Sequence, residues 1–84
     1  MLPISHTLVK PVTHAGKTYT EIVIDREPTV GDLAAMDEFS GDIMKTVAVI
    51  ASLSGVPIPA IKAIAAREFG ALADKVTPLL GNAQ

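Results

Sequence analysis

The apolar pattern of this chain changes period once, and the change divides it in two. From Ser5 to Arg26, β-branched residues and Tyr19 alternate with polar ones, the period of a strand. Beyond Glu27-Pro28-Thr29-Val30-Gly31-Asp32 the apolar residues recur about every 3.6 positions, the period of a helix. A chain that switches from one to the other without returning reads as α+β, with a β-hairpin over 5–26 followed by three to four short helices over 29–80. With 84 residues and neither repeat nor linker, 1–84 is expected to form a single small domain.

In the first half, Gly16 of His14-Ala15-Gly16-Lys17 supplies the turn. A two-residue loop at Ala15-Gly16 sets Val12 opposite Tyr19, Lys10 opposite Glu21 and Leu8 opposite Val23, with Val9 and Ile22 paired on the other face. Pro11 lacks an N–H, so its strand is read as an edge.

At the junction, Thr29 and Asp32 form a capping-box variant in which the carboxylate reaches back to the Thr29 amide, so both are assigned as a structural cap. The first helix follows with Val30, Leu33, Ala34 and Met36 as its apolar positions and ends near Phe39. Ser40-Gly41-Asp42 then offers a break and a second N-cap. The second helix runs to about Ser54, with Ile43, Val47, Ile50 and Ser54 on one stripe and Met44, Ala48 and Ala51 on an adjoining one. Gly55-Val56-Pro57-Ile58-Pro59 ends it and opens a short third helix through Ile61 and Ile64. Ala66 to about Thr77 completes the pattern with Phe69, Leu72, Ala73 and Val76 on one face. Pro78 ends or kinks it, and residues 81–84 read as a frayed tail.

Composition narrows the function classes. Seven Lys and Arg against nine Asp and Glu leave a net charge of −2, which offers no electrostatic footprint for nucleic acid. The apolar fraction of 49% is high for so short a chain and leads to an expectation of self-association. Absence of cysteine removes thiolate zinc sites and cysteine nucleophiles together. The opening Met1-Leu2-Pro3-Ile4-Ser5-His6 has no basic region followed by an apolar run, so no secretion signal is expected. The hydrophobic stretch from Thr46 to Ile61 would span only about 24 Å as a helix, short of a bilayer core of roughly 30 Å.

Candidates for chemistry are sparse. His6 and His14 sit about 26 Å apart along an extended strand and cannot share a metal within one chain, so they are read as surface or turn histidines. Asp25 with Glu27 and Asp37 with Glu38 are carboxylate pairs of a general acid-base kind, read as solvated charges at element ends. Ser40 and Ser54 have no neighbouring histidine in sequence, and Gly31 and Gly41 match no phosphate-binding loop. Catalysis is therefore not expected, nor any cofactor or metal. A helix-turn-helix reading of Ile58 to Ala66 has only Lys62 and, just beyond, Arg67 as donors, too few for base readout.

The order of local motifs resembles the tail assembly chaperones of tailed bacteriophages, in particular the short proteins of Mu-like contractile-tailed phages. The similar features are Leu8-Val9-Lys10-Pro11 with Gly16-Lys17-Thr18-Tyr19-Thr20-Glu21-Ile22, the junction Arg26-Glu27-Pro28-Thr29-Val30-Gly31-Asp32-Leu33, the turn Leu53-Ser54-Gly55-Val56-Pro57, and Phe69-Gly70-Ala71-Leu72. Pro59 and Pro78 depart from that pattern. The resemblance implies a non-enzymatic factor in the host cytoplasm that coats the tape measure protein, keeps it soluble, helps recruit tail tube subunits and is absent from the mature virion. In many such phages a ribosomal frameshift yields a second, extended product. The stripe of Met44, Ala48 and Ala51, extended by Leu79 and Leu80, is the expected partner-binding surface, with Ile43, Val47 and Ile50 holding the helix to the hairpin. The competing readings are a small DNA-binding transcription regulator and a subunit that completes an enzyme held elsewhere.

Overall fold

The computed structural model of the protein describes residues 3–80, so the tail expected at 81–84 lies outside the described residues. Two antiparallel strands, β1 (Ile4–His14) and β2 (Lys17–Ile24), are followed by four helices, α1 (Val30–Met36), α2 (Asp42–Ser54), α3 (Ile58–Lys62) and α4 (Ala66–Val76), and a closing 3₁₀ turn at Thr77–Leu80. The α+β reading, a hairpin and then helices, is the architecture found.

At the hairpin tip the expected register holds. Ala15 and Gly16 both take positive φ, 52° and 80°, the turn whose twist matches the flanking strands. His14 pairs with Lys17, Thr13 with Thr18 and Val12 with Tyr19. Beyond Val12 the register departs from expectation, because Thr7, not Lys10, faces Glu21, and Ile4, Ser5 and His6 face Ile24, Val23 and Ile22. Leu8, Val9, Lys10 and Pro11 thus stand against Thr20 alone, four residues against one, an offset of three. The expected pairs Lys10–Glu21, Leu8–Val23 and Val9–Ile22 do not form. Pro11 has no amide to give a ladder, and the chain bulges where it falls. An odd offset reverses which face of β2 points inward. Ile22 and Ile24 are therefore buried, while Val23 is exposed and Val9 projects into solvent at 84%.

The junction folds as expected and the helix after it does not. Thr29 caps α1 with both halves of the capping box present, and Asp37, Glu38 and Phe39 continue it only as tightened i to i+3 turns. Of the expected apolar stripe on α1, Val30 (82%), Leu33 and Ala34 are exposed and Met36 alone is half-buried against the core, while the residue that α1 buries fully is Asp32, at 4%. The polar partners of Asp32 turn that residue inward, and Met36 supplies the apolar contact with the core.

α2 starts and ends where expected, but no side chain caps it. Gly41, at φ 91°, makes the entry, and Gly55, at φ 76°, closes the exit with its N–H on the Ala51 carbonyl at 2.9 Å. Val47, Ala48, Val49, Ile50 and Leu53 are all buried. Ile43, expected to anchor the helix, is 69% exposed because it lies on the first turn, outside the packed stretch. Pro59 falls in the first turn of α3, where the missing N–H is harmless, and Pro78 falls in the closing 3₁₀ turn, after α4 has ended. Both prolines therefore mark boundaries. Ile22 and Ile24 of β2, Val49 and Ile50 of α2, Ile61 of α3, and Leu72 and Val76 of α4 meet in the centre as the most deeply buried residues.

Candidate functional site

Asp32 is the centre of a polar knot that ties the hairpin exit to α2. Its carboxylate accepts from Arg26 Nη1 at 2.8 Å and Arg26 Nη2 at 3.0 Å, from the Thr29 amide at 2.7 Å, from Thr29 Oγ1 at 3.1 Å and from the Ser52 hydroxyl. Arg26 also donates to the Ser52 carbonyl at 3.1 Å and the Glu27 carbonyl at 3.3 Å. The Arg26 hydrogen bonds, followed by those from Ser52 and the Thr29 amide, hold the Asp32 carboxyl far below the usual carboxylate range. The same hydrogen bond raises the Arg26 guanidinium. Every residue type in Arg26-x-Pro28-Thr29-x-Gly31-Asp32 that makes this knot is there to satisfy one buried charge, a structural task. Thr29 and Asp32 were legible as a cap. Arg26 and Ser52 were not, since nothing local marks Ser52 as facing the junction from 20 positions away.

A second carboxylate, Glu68 on the first turn of α4, ties that helix to the β1 bulge. It accepts from the Val9 amide at 2.7 Å and the Lys10 amide at 3.1 Å, and lies 3.4 Å from His6 Nε2. Those bonds, the Val9 amide foremost, hold its carboxyl below the ordinary value. Lys75 Nζ reaches His6 Nδ1 at 3.2 Å, so His6 bridges two charged side chains of α4. His14 lies at the turn, remote from this cluster in the strand. Among the described residues no group of three or more His, Asp or Glu is placed to hold a metal ion, and no helix is long and apolar enough to cross a membrane.

A largely apolar groove of about 590 Å³ lies between the first half of α2 and the α3–α4 corner. Ile43, Met44 and Val47 form one wall, Ile61, Ile64, Phe69 and Ala73 the other, and Asp42, Lys62 and Asp74 stand among the polar residues around it. The walls exist because Gly41 starts α2 beside the point where α3 turns into α4. Of the expected partner stripe, the groove takes in Met44 alone. Ala48 is in the core at 3% exposure, Ala51 is half-buried, and Leu79 and Leu80 are half-buried against the core from the 3₁₀ turn. Ile43, given the inward role, is the exposed residue, and Ala48 turns inward.

The segment offered as a recognition helix, Ile58 to Ala66, is interrupted: α3 has five residues, and two of them, Ala60 and Ile61, are buried. A family model described as "Phage tail assembly chaperone proteins, E, or 41 or 14" matches residues 5–81. The chain belongs to this family of phage tail assembly chaperones. No curated protein and no solved structure matches it.

Proposed function

We propose that this tail assembly chaperone binds apolar helical segments of the tape measure protein in the groove between α2 and the α3–α4 corner, keeps them soluble in the host cytoplasm, and acts there as an oligomer. The observation that supports this reading is the groove itself. It has apolar side chains on both walls, lies between helices and carries the strongly exposed Ile43, features suited to receiving one face of an amphipathic helix. Coating the tape measure protein in this way would leave it ready for tail tube subunits to assemble around it, with the chaperone departing before the virion is complete.

The test is co-purification of the chain with tape measure segments. Ile43→Glu changes an exposed side chain and should alter folding stability by no more than about 0.5 kcal/mol, yet it sets a carboxylate at the groove and should abolish capture. Val30→Glu, on the exposed face of α1, should leave capture intact. Equal capture by the Ile43→Glu chain would refute the groove as the binding surface.

A further inference from the structure

The two strands of the hairpin are finished differently. β1 carries Pro11, a bulge, and the Glu68 carboxylate on the amides of Val9 and Lys10, features that keep a strand from recruiting another. β2 carries no proline, and since the sheet has two strands among the described residues, one edge of β2 is unpaired. The two-residue turn makes His14 and Lys17 the closing pair, and in an antiparallel ladder main-chain groups point alternately toward and away from the partner. Lys17 and Tyr19 therefore spend their N–H and C=O groups on β1. Thr18 and Thr20, both exposed, turn theirs outward.

The sequence along this edge, Lys17-Thr18-Tyr19-Thr20-Glu21, is complementary to itself when reversed. From this we infer that β2 pairs antiparallel with β2 of a second copy of the chain about a two-fold axis at Tyr19, giving a four-stranded sheet. In that register Lys17 stands opposite the second copy's Glu21 at both ends, Tyr19 meets Tyr19 at the centre, and Thr18 lies opposite Thr20 with their outward main-chain groups exchanging hydrogen bonds. Moving the axis to Glu21 would set two carboxylates against each other, and moving it to Thr18 or Thr20 would separate Lys17 from Glu21. Five residues from each copy make a small contact, so the dimer is weak and concentration-dependent. This interface supplies the oligomer of the functional reading above, rests on that reading in this respect only, and leaves the groove free.

Sedimentation equilibrium of the full chain from micromolar to millimolar concentration tests it. The wild type should show a monomer–dimer equilibrium. Thr20→Pro removes an outward amide, a position where an edge strand accepts proline, and Lys17→Glu sets like charges opposite each other. Each should weaken dimerisation roughly tenfold or more with the far-ultraviolet circular dichroism unchanged. The double variant Lys17→Glu with Glu21→Lys should restore it to within about threefold of wild type. A wild type that is monomeric throughout, or variants that all dimerise like the wild type, would overturn the proposal. Should Thr20→Pro unfold, the charge pair decides, and a loss in Lys17→Glu that the double variant fails to rescue also overturns it. Loss of capture by the Ile43→Glu chain with its dimerisation unchanged, and loss of dimerisation by the Lys17→Glu chain, report on the groove and on the pairing separately.

Discussion

Asp32 and Glu68 each sit on the first turn of a helix and each hold that helix to a remote part of the chain, but they are answered by different chemistry. Asp32 is met by a guanidinium, two hydroxyls and one amide, and is almost wholly enclosed. Glu68 is met mainly by two main-chain amides that the β1 bulge leaves without a ladder partner, with His6 at its side. An enclosed charge can be kept only if several partners converge on it, so the Asp32 site demands particular residue types. The Glu68 site demands a particular backbone shape. The first should therefore be the more costly to break and the more sensitive to charge.

The largest effect is expected at Asp32. Replacing it with Ala removes the helix cap and the charged hydrogen bonds and should cost about 2 kcal/mol, a substantial part of the roughly 5–15 kcal/mol that holds such domains together, and a denaturant midpoint unchanged by the substitution would remove the knot from the account. Its charge also contributes to the stability of the fold in acid. The folded carboxyl titrates below its unfolded counterpart, so its contribution is complete above about pH 4, where the unfolded carboxyl is ionised, and is lost as pH falls toward the folded value because the unfolded chain takes up the proton first. Stability measured against pH should fall below that point, and Asp32→Asn should flatten this acid limb. Glu68→Ala should have the smaller effect, lowering the thermal midpoint by less than Asp32→Ala and speeding amide exchange at Val9 and Lys10 while the Asp32 knot stays protected. If Glu68→Ala proved the more damaging of the two, the ranking of side-chain over main-chain partners would be reversed.

The same contrast explains what could be read in the sequence. The change of period, the turn at Ala15-Gly16, the Thr29 cap and the ends of α2 are local, set by residues within a few positions of one another, and each was legible. The bulge was not legible: Pro11 marked its strand as an edge, yet pairing was expected to continue past it, and the shifted segment is met by Glu68, which reaches Val9 from 59 positions away. α1 misled because Val30 and Leu33 have the spacing of a buried stripe, while Arg26 and Ser52 turn Asp32 inward. On α2, two adjoining stripes on a mostly apolar helix left its orientation to tertiary packing. Ala48 lies in the core, and Ile43 is exposed on the wall of the groove. Its second wall, Ile64 and Phe69, lies across the α3–α4 corner and could be assigned only from the packed chain.

The groove and the outer face of α1 both expose apolar side chains, and methyl NMR distinguishes them directly. On titration with an apolar helical segment of the tape measure protein, the methyl resonances of Ile43, Met44 and Ile64 should shift together, while those of Val30 and Leu33 stay at their free positions. Shifts at Val30 and Leu33 with the groove methyls unmoved would contradict the assignment of the groove as the surface on which this chaperone acts.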